Sequence, residues 1–131
     1  MADSTKIEWT ATALADGTRV PGSTFNMWRG CTKVSTGCKN CYAEALSGRN
    51  PGTLGVWGPR GRRIVAAEAY WRQPVRWNKD AEAAGIRRKV FCASLADVFE
   101  GRDTMPEQDW EAVDAARERL WALIQATPHL D

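Results

Sequence analysis

Cys31, Cys38 and Cys41 form a Cys-x6-Cys-x2-Cys series, the strongest chemical signal in the chain. Thiolates are ligands for soft metal centres, and a Cys-x2-Cys pair lets two of them converge on one ion. The six-residue spacer contains Gly37, which lets the third thiolate reach the same point. Thr32, Lys33 and Lys39, with a helix starting just after Cys41, favour thiolate over thiol. Three protein ligands leave one coordination position open. That suits an iron–sulfur cluster whose unique iron takes a small molecule, or a catalytic zinc carrying water.

The pattern leaves other readings open. A structural zinc needs a fourth ligand, and Cys92 and His129 are the only further Cys and His, neither at the usual paired spacing. Disulfide bonding belongs to oxidising compartments, and the polar Met1–Lys6 start is no signal peptide. Three unrelated core thiols do not suit a loop of Thr, Lys, Ser, Gly and Asn. An iron–sulfur site leads, with zinc behind it. Cys92 lies in an apolar run and is read as a small buried side chain, while His129 is assigned no role.

The frame around the cysteines is that of one ordinary domain. The chain has 131 residues and is 44% apolar, which argues against gross disorder. No apolar run approaches the roughly 20 residues needed to span a membrane, so the chain is read as cytoplasmic, with no membrane partner. A net charge of +2 is too small to imply a nucleic-acid partner by bulk electrostatics. The cations are nevertheless clumped, at Arg60, Arg62 and Arg63 and again at Arg87, Arg88 and Lys89. Each clump reads first as a solvated face and second as a local phosphate contact. Seven tryptophans supply large apolar surfaces.

Along the chain, residues 1–23 read as irregular, with turns at Asp16-Gly17 and Pro21-Gly22. Thr24–Arg29 is a candidate strand that Gly30 ends. After the cysteine loop, Tyr42–Leu46 suits a helix, and residues 47–63 read as a loop insertion rich in Gly, Pro and Arg. Ile64–Trp71 could be helix or extended chain. Lys79–Ala84 reads as a helical turn closed by Gly85. Lys89–Leu95 reads as a strand buried on both faces, as in parallel sheets. A helix runs from about Pro106 to Gln125, with a Thr104/Glu107 capping box and Trp110, Val113, Leu120, Trp121 and Ile124 toward a core. The resulting βαβα order implies an α/β fold. Two strands and two helices cannot cover both sheet faces, so the chain is expected to be the N-terminal part of a larger α/β barrel, or a truncated reading frame.

Several stretches resemble the phage-associated three-Cys-motif proteins, a largely uncharacterised group of radical S-adenosylmethionine (SAM) proteins. The resemblance lies in Lys6-Ile7-Glu8-Trp9-Thr10, in Gly30 to Glu44 around the cysteines, and in Pro74-Val75-Arg76-Trp77. It continues in Val90 to Phe99 and in Ala126-Thr127-Pro128-His129. The usual radical SAM spacing is Cys-x3-Cys-x2-Cys; here the first gap has six residues, and Asn40 replaces the aromatic that usually precedes the last cysteine. The resemblance implies the N-terminal part of a partial (βα) TIM-like barrel. Cys31, Cys38 and Cys41 would hold a [4Fe–4S] cluster, SAM would bind its fourth iron, and an electron donor would be needed to generate a 5′-deoxyadenosyl radical.

By the same resemblance, Ser94 and Asp97 stand where radical SAM proteins contact the SAM amino group, at the C-terminal end of the second strand. Asp97 could equally cap a turn before Phe99. No substrate is legible, although the phage setting is compatible with a nucleic acid. The contrasting expectation is a zinc module that binds nucleic acid without catalysis, with the Arg60 clump on phosphate and tryptophans on bases.

Overall fold

Among the described residues, 4–131 of the computed structural model, six short strands pair into three two-stranded sheets beside five helices. The first three residues of the expected irregular segment lie outside them. The chain divides into two units: one contains residues up to Phe25, Ala67–Cys92 and Arg119–Asp131, and the other Asn26–Ala66 and Ala93–Glu118.

The first unit opens with a hairpin where irregular chain is expected. Strands β1 (Thr12–Ala13) and β2 (Arg19–Val20) pair antiparallel across the Asp16-Gly17 turn. Gly17 has φ +85°, and the Thr18 N–H donates to Asp16 Oδ1 at 2.8 Å. The turn residues are legible because they carry special chemistry; two-residue strands have no periodicity to read.

Strand β3 (Ser23–Phe25) pairs in parallel with β6 (Val90–Cys92), and the connection between them carries α3 (Glu68–Trp71) and α4 (Gln73–Ala84). Lys89 O accepts from the Ser23 N–H on one edge of this strand. On the other edge, Arg88 N–H donates to His129 O and Val90 N–H to Asp131 O, with a parallel bridge between Arg88 and Leu130. The residues after the last helix thus occupy the place of a third parallel strand.

Helix α4 is longer than the turn expected at Lys79–Ala84. Pro74, Trp77 and Ala81 are buried at helical spacing, and Pro74 lies in the first turn, where its missing N–H costs little. Gly85 closes the helix at φ +66°, with the Ile86 N–H returning to Ala81 O at 3.0 Å. The core of this unit is Phe25, Trp71, Trp77, Ala81 and Leu120. Phe25 stacks on Tyr70 at 5.0 Å and meets Trp71 edge-on at 5.2 Å.

The strand expected over Lys89–Leu95 is shorter and less covered. Ala93, at φ +68°, stops it, Val90 and Phe91 are half-buried, and Cys92 is exposed instead of buried. A strand with only short neighbours does not acquire the two-faced cover of a large parallel sheet.

In the second unit, β4 (Trp28–Arg29) pairs antiparallel with β5 (Ile64–Val65). The strand expected over Thr24–Arg29 is interrupted by a buried side chain. Asn26 Oδ1 accepts the Leu95 N–H at 2.7 Å, and its Nδ2 donates to Ser94 Oγ at 2.9 Å. A side-chain amide here replaces ladder bonds. Ile64–Trp71 contains both alternatives, β5 followed by α3.

The region 47–63 is partly helical: α1 (Tyr42–Arg49) runs into it, and α2 (Pro51–Leu54) starts on Pro51. Helix α5 (Trp110–Ala126) begins after a 3-10 turn at Glu107–Asp109. The Thr104/Glu107 capping box does not form. Thr104 Oγ1 donates to Gly101 O at 2.8 Å and meets Glu100 Oε2 at 3.3 Å. Val113, Ala116 and Leu120 are buried, whereas Trp121 and Ile124, expected toward the core, are 40% and 51% exposed. The buried stripe is narrower than the apolar one.

The α/β character therefore holds, while the sheets close no barrel among the described residues. No helix among them is long and apolar enough to cross a membrane.

Candidate metal centre

The cysteine loop is rooted by Gly30. At φ +116°, Gly30 donates its N–H to Leu95 O at 3.0 Å and bridges in parallel to Ala96. A Cβ there would stand 3.0 Å from Arg63 Cδ and 3.1 Å from Arg62 O, so the close approach requires glycine. This root brings the loop beside Ser94–Asp97. The two stretches that the sequence marks for a site meet in one unit.

Cys31, Cys38 and Cys41 line a single cavity of about 30 Å³, together with Thr32, Lys33, Glu44 and Trp57. All three thiols are half-buried and free of disulfides. A 3-10 turn at Thr36–Cys38 carries the second thiol, and Cys41 is the N-cap residue of α1. Lys33 Nζ pairs with Glu44 Oε2 at 2.6 Å. Among the described residues, no three Cys, His, Asp or Glu side chains form a group that could hold a metal ion, so the sulfurs share walls without converging. The donor set still fits a three-cysteine centre in kind and number. Cys92 and His129 belong to the other unit and line no part of this cavity.

The thiols are electrostatically unequal. Burial, with the charges of Glu100 and Asp97, pushes Cys31 up to about 11. Hydrogen bonds from the Val34 backbone and from Ser35 hold Cys38 below the ordinary thiol range; the Ser35 hydroxyl is 3.6 Å from its Sγ. Asp97 thus acts on two of the three thiols through space. Its Oδ1 accepts the Phe99 N–H at 2.9 Å, the turn cap expected as the alternative to a SAM contact. Ser94 Oγ accepts from Asn26, and Ser94 O faces the Tyr42 hydroxyl at 3.4 Å.

Sequence reasoning missed the group that holds the loop. Arg63 and Glu100 have side chains that are 0% and 1% exposed and pair at 2.7 Å. Arg63 Nε donates to both Glu100 oxygens, Nη1 to Gly61 O and Nη2 to Thr32 Oγ1 and Thr104 O. Trp28 Nε1 donates to Glu100 Oε1 at 2.9 Å. Thr32 Oγ1 donates to Thr104 O at 2.7 Å, and the Gly58 N–H donates to Cys31 O at 2.9 Å. A buried charge pair with its remaining polar atoms satisfied fixes geometry.

Arg62 is also committed, pairing with Asp109 at 2.7 Å while the Arg63 N–H donates to the same carboxylate. Arg63 is therefore not the solvated or phosphate-facing cation expected of the Arg60 clump, whereas Arg62 keeps an exposed side chain while pairing with Asp109. The sequence signal was faint: Arg63 directly precedes the strand pair Ile64-Val65, but Glu100 is 37 residues away.

Compared with known proteins, residues 4–131 match the model of a family described as "Protein of unknown function (DUF5131)". No curated protein and no solved structure matches the chain.

Proposed function

The chain belongs to the DUF5131 family, and from its cysteine loop we propose a radical SAM-type protein that binds a [4Fe–4S] cluster through Cys31, Cys38 and Cys41. The observation that carries this reading is the placing of three soft donors on one cavity, rooted in parallel beside Ser94–Asp97. Bound there with SAM, such a cluster supplies reductive cleavage of the sulfonium to a 5′-deoxyadenosyl radical. Cys38, already shifted toward thiolate, is the ready first ligand. Cys41, at the start of α1, presents its sulfur near the positive end of a helix. Asp97, one of whose oxygens is taken by the Phe99 N–H, would offer the other to the SAM ammonium, and Ser94 would supply a neighbouring hydroxyl. SAM and an electron donor are the partners this requires. The parallel β3–β6 pair with its helical crossover is the unit from which (βα) barrels are built.

Anaerobic reconstitution with iron and sulfide tests the reading. The expected product is brown, with about four irons and four sulfides per chain, and forms 5′-deoxyadenosine on addition of SAM and dithionite. Replacing the three cysteines with alanine should remove the colour. A colourless protein holding one tight zinc would assign the loop to a zinc module instead.

Asp97→Ala is expected to weaken SAM binding while leaving the iron content unchanged. Equilibrium binding of SAM to the reconstituted protein reads this directly, and unaltered affinity takes Asp97 out of the site.

A further inference from the structure

The first unit carries a second concavity, a groove of about 620 Å³ remote in chemistry from the thiols. Two helical stripes form its walls. Arg72, Val75, Arg76 and Lys79 line one side, at the start of α4 and along it; Arg119, Ala122, Leu123 and Ala126 line the other, along α5. Both sets are spaced i, i+3, i+4, i+7, so each lies on one helix face. Ala122 and Ala126 are small and leave a trough, while Val75, Leu123 and Trp71 give it an apolar floor.

The charge is one-sided. Four lining residues are cations and none is acidic. Glu68 stands beside the groove, where it pairs with Arg119 at 2.6 Å and also lies in the field of Arg72. Among the described residues, neither Arg72 nor Lys79 makes an ion pair. Arg72 and Lys79 thus put two positive charges on this face that an anionic occupant can meet.

We propose that this groove binds an acidic amphipathic helix of a partner protein. Its apolar face lies on Val75 and Leu123, and its carboxylates meet the cationic rims, the helix-in-groove mode of recognition. A single-stranded nucleic acid fits less well, because its bases need an open aromatic face. Trp71 is 4% exposed and already covered by the Arg119 guanidinium, 4.4 Å from its ring.

The test titrates the full chain with a synthetic helix bearing leucines at i, i+3, i+4 and i+7 and glutamates elsewhere. A scrambled peptide of the same composition and a single-stranded oligonucleotide run in parallel. Saturable binding of the patterned helix is expected, weakened roughly tenfold by combined Arg72→Glu and Lys79→Glu. Ala122→Phe, at an exposed position, should fill the trough and abolish binding while the circular dichroism spectrum is retained. Equal binding of the scrambled peptide, indifference to both variants, or tighter binding of the oligonucleotide overturns the proposal.

Discussion

Glu100→Ala is expected to destabilise the protein by about 3–5 kcal/mol, the cost of breaking a buried ion pair from one side. The substitution leaves the Arg63 guanidinium without its charge partner in a site from which water is excluded. It also orphans the Trp28 indole N–H, and it removes one of the oxygens that the Thr104 hydroxyl meets. Net stability of a small domain is only about 5–15 kcal/mol, so this loss is a large fraction of the total. Urea titration followed by tryptophan fluorescence measures the change. Joint replacement, Arg63→Met with Glu100→Leu, removes both charges and should recover a substantial part of the loss. A loss below about 1 kcal/mol for Glu100→Ala would mean that the pair is solvated and does not hold the cysteine loop.

In the metal-free protein, alkylation is expected to reach Cys38 well before Cys31. The thiolate is the nucleophile. With Cys31 pushed up to about 11, roughly one molecule in a thousand carries that thiolate at pH 8. Cys38, held below the ordinary thiol range by its hydrogen bonds, has a far larger thiolate share at the same pH. Iodoacetamide with peptide mass mapping should therefore show Cys38 modified well ahead of Cys31 at that pH. The sign of the pH effect is the same for both and its size differs: raising the pH to about 10 should accelerate Cys31 more steeply than Cys38. Equal rates across that range would show that the two thiols share one environment.

What could be read beforehand follows from how local each signal is. Gly17, Gly30 and Gly85 mark turns because their conformations are intrinsic to the residue, and all three have positive φ. The cysteine loop was legible for the same reason, since its chemistry lies in a short spacing. Asn26 was not, because an asparagine inside an apolar run gives no sign that its amide will bond residues 68 and 69 positions away. Arg63 was misread by its neighbours: three arginines in four residues suggest a wet surface, yet one of them is the most enclosed cation in its unit. Trp121 and Ile124 follow the helical period but fall outside the buried stripe, which Val113, Ala116 and Leu120 already fill. Periodicity names a face and leaves its width to tertiary packing.

The knot around Arg63 separates folding from loading. Small metal domains often fold only when the ion arrives, because the ligands are all that ties their loops together. Here Thr32 is fixed through Arg63 and Thr104, and the Cys31 carbonyl through Gly58, by groups that carry no sulfur. Much of the ordering entropy of the loop's first strand-side turn is thus met during folding itself. On the proposed reading, a chelator should strip the cluster without unfolding the protein, and the emptied chain should rebuild it when iron and sulfide are supplied again, with its fold unchanged.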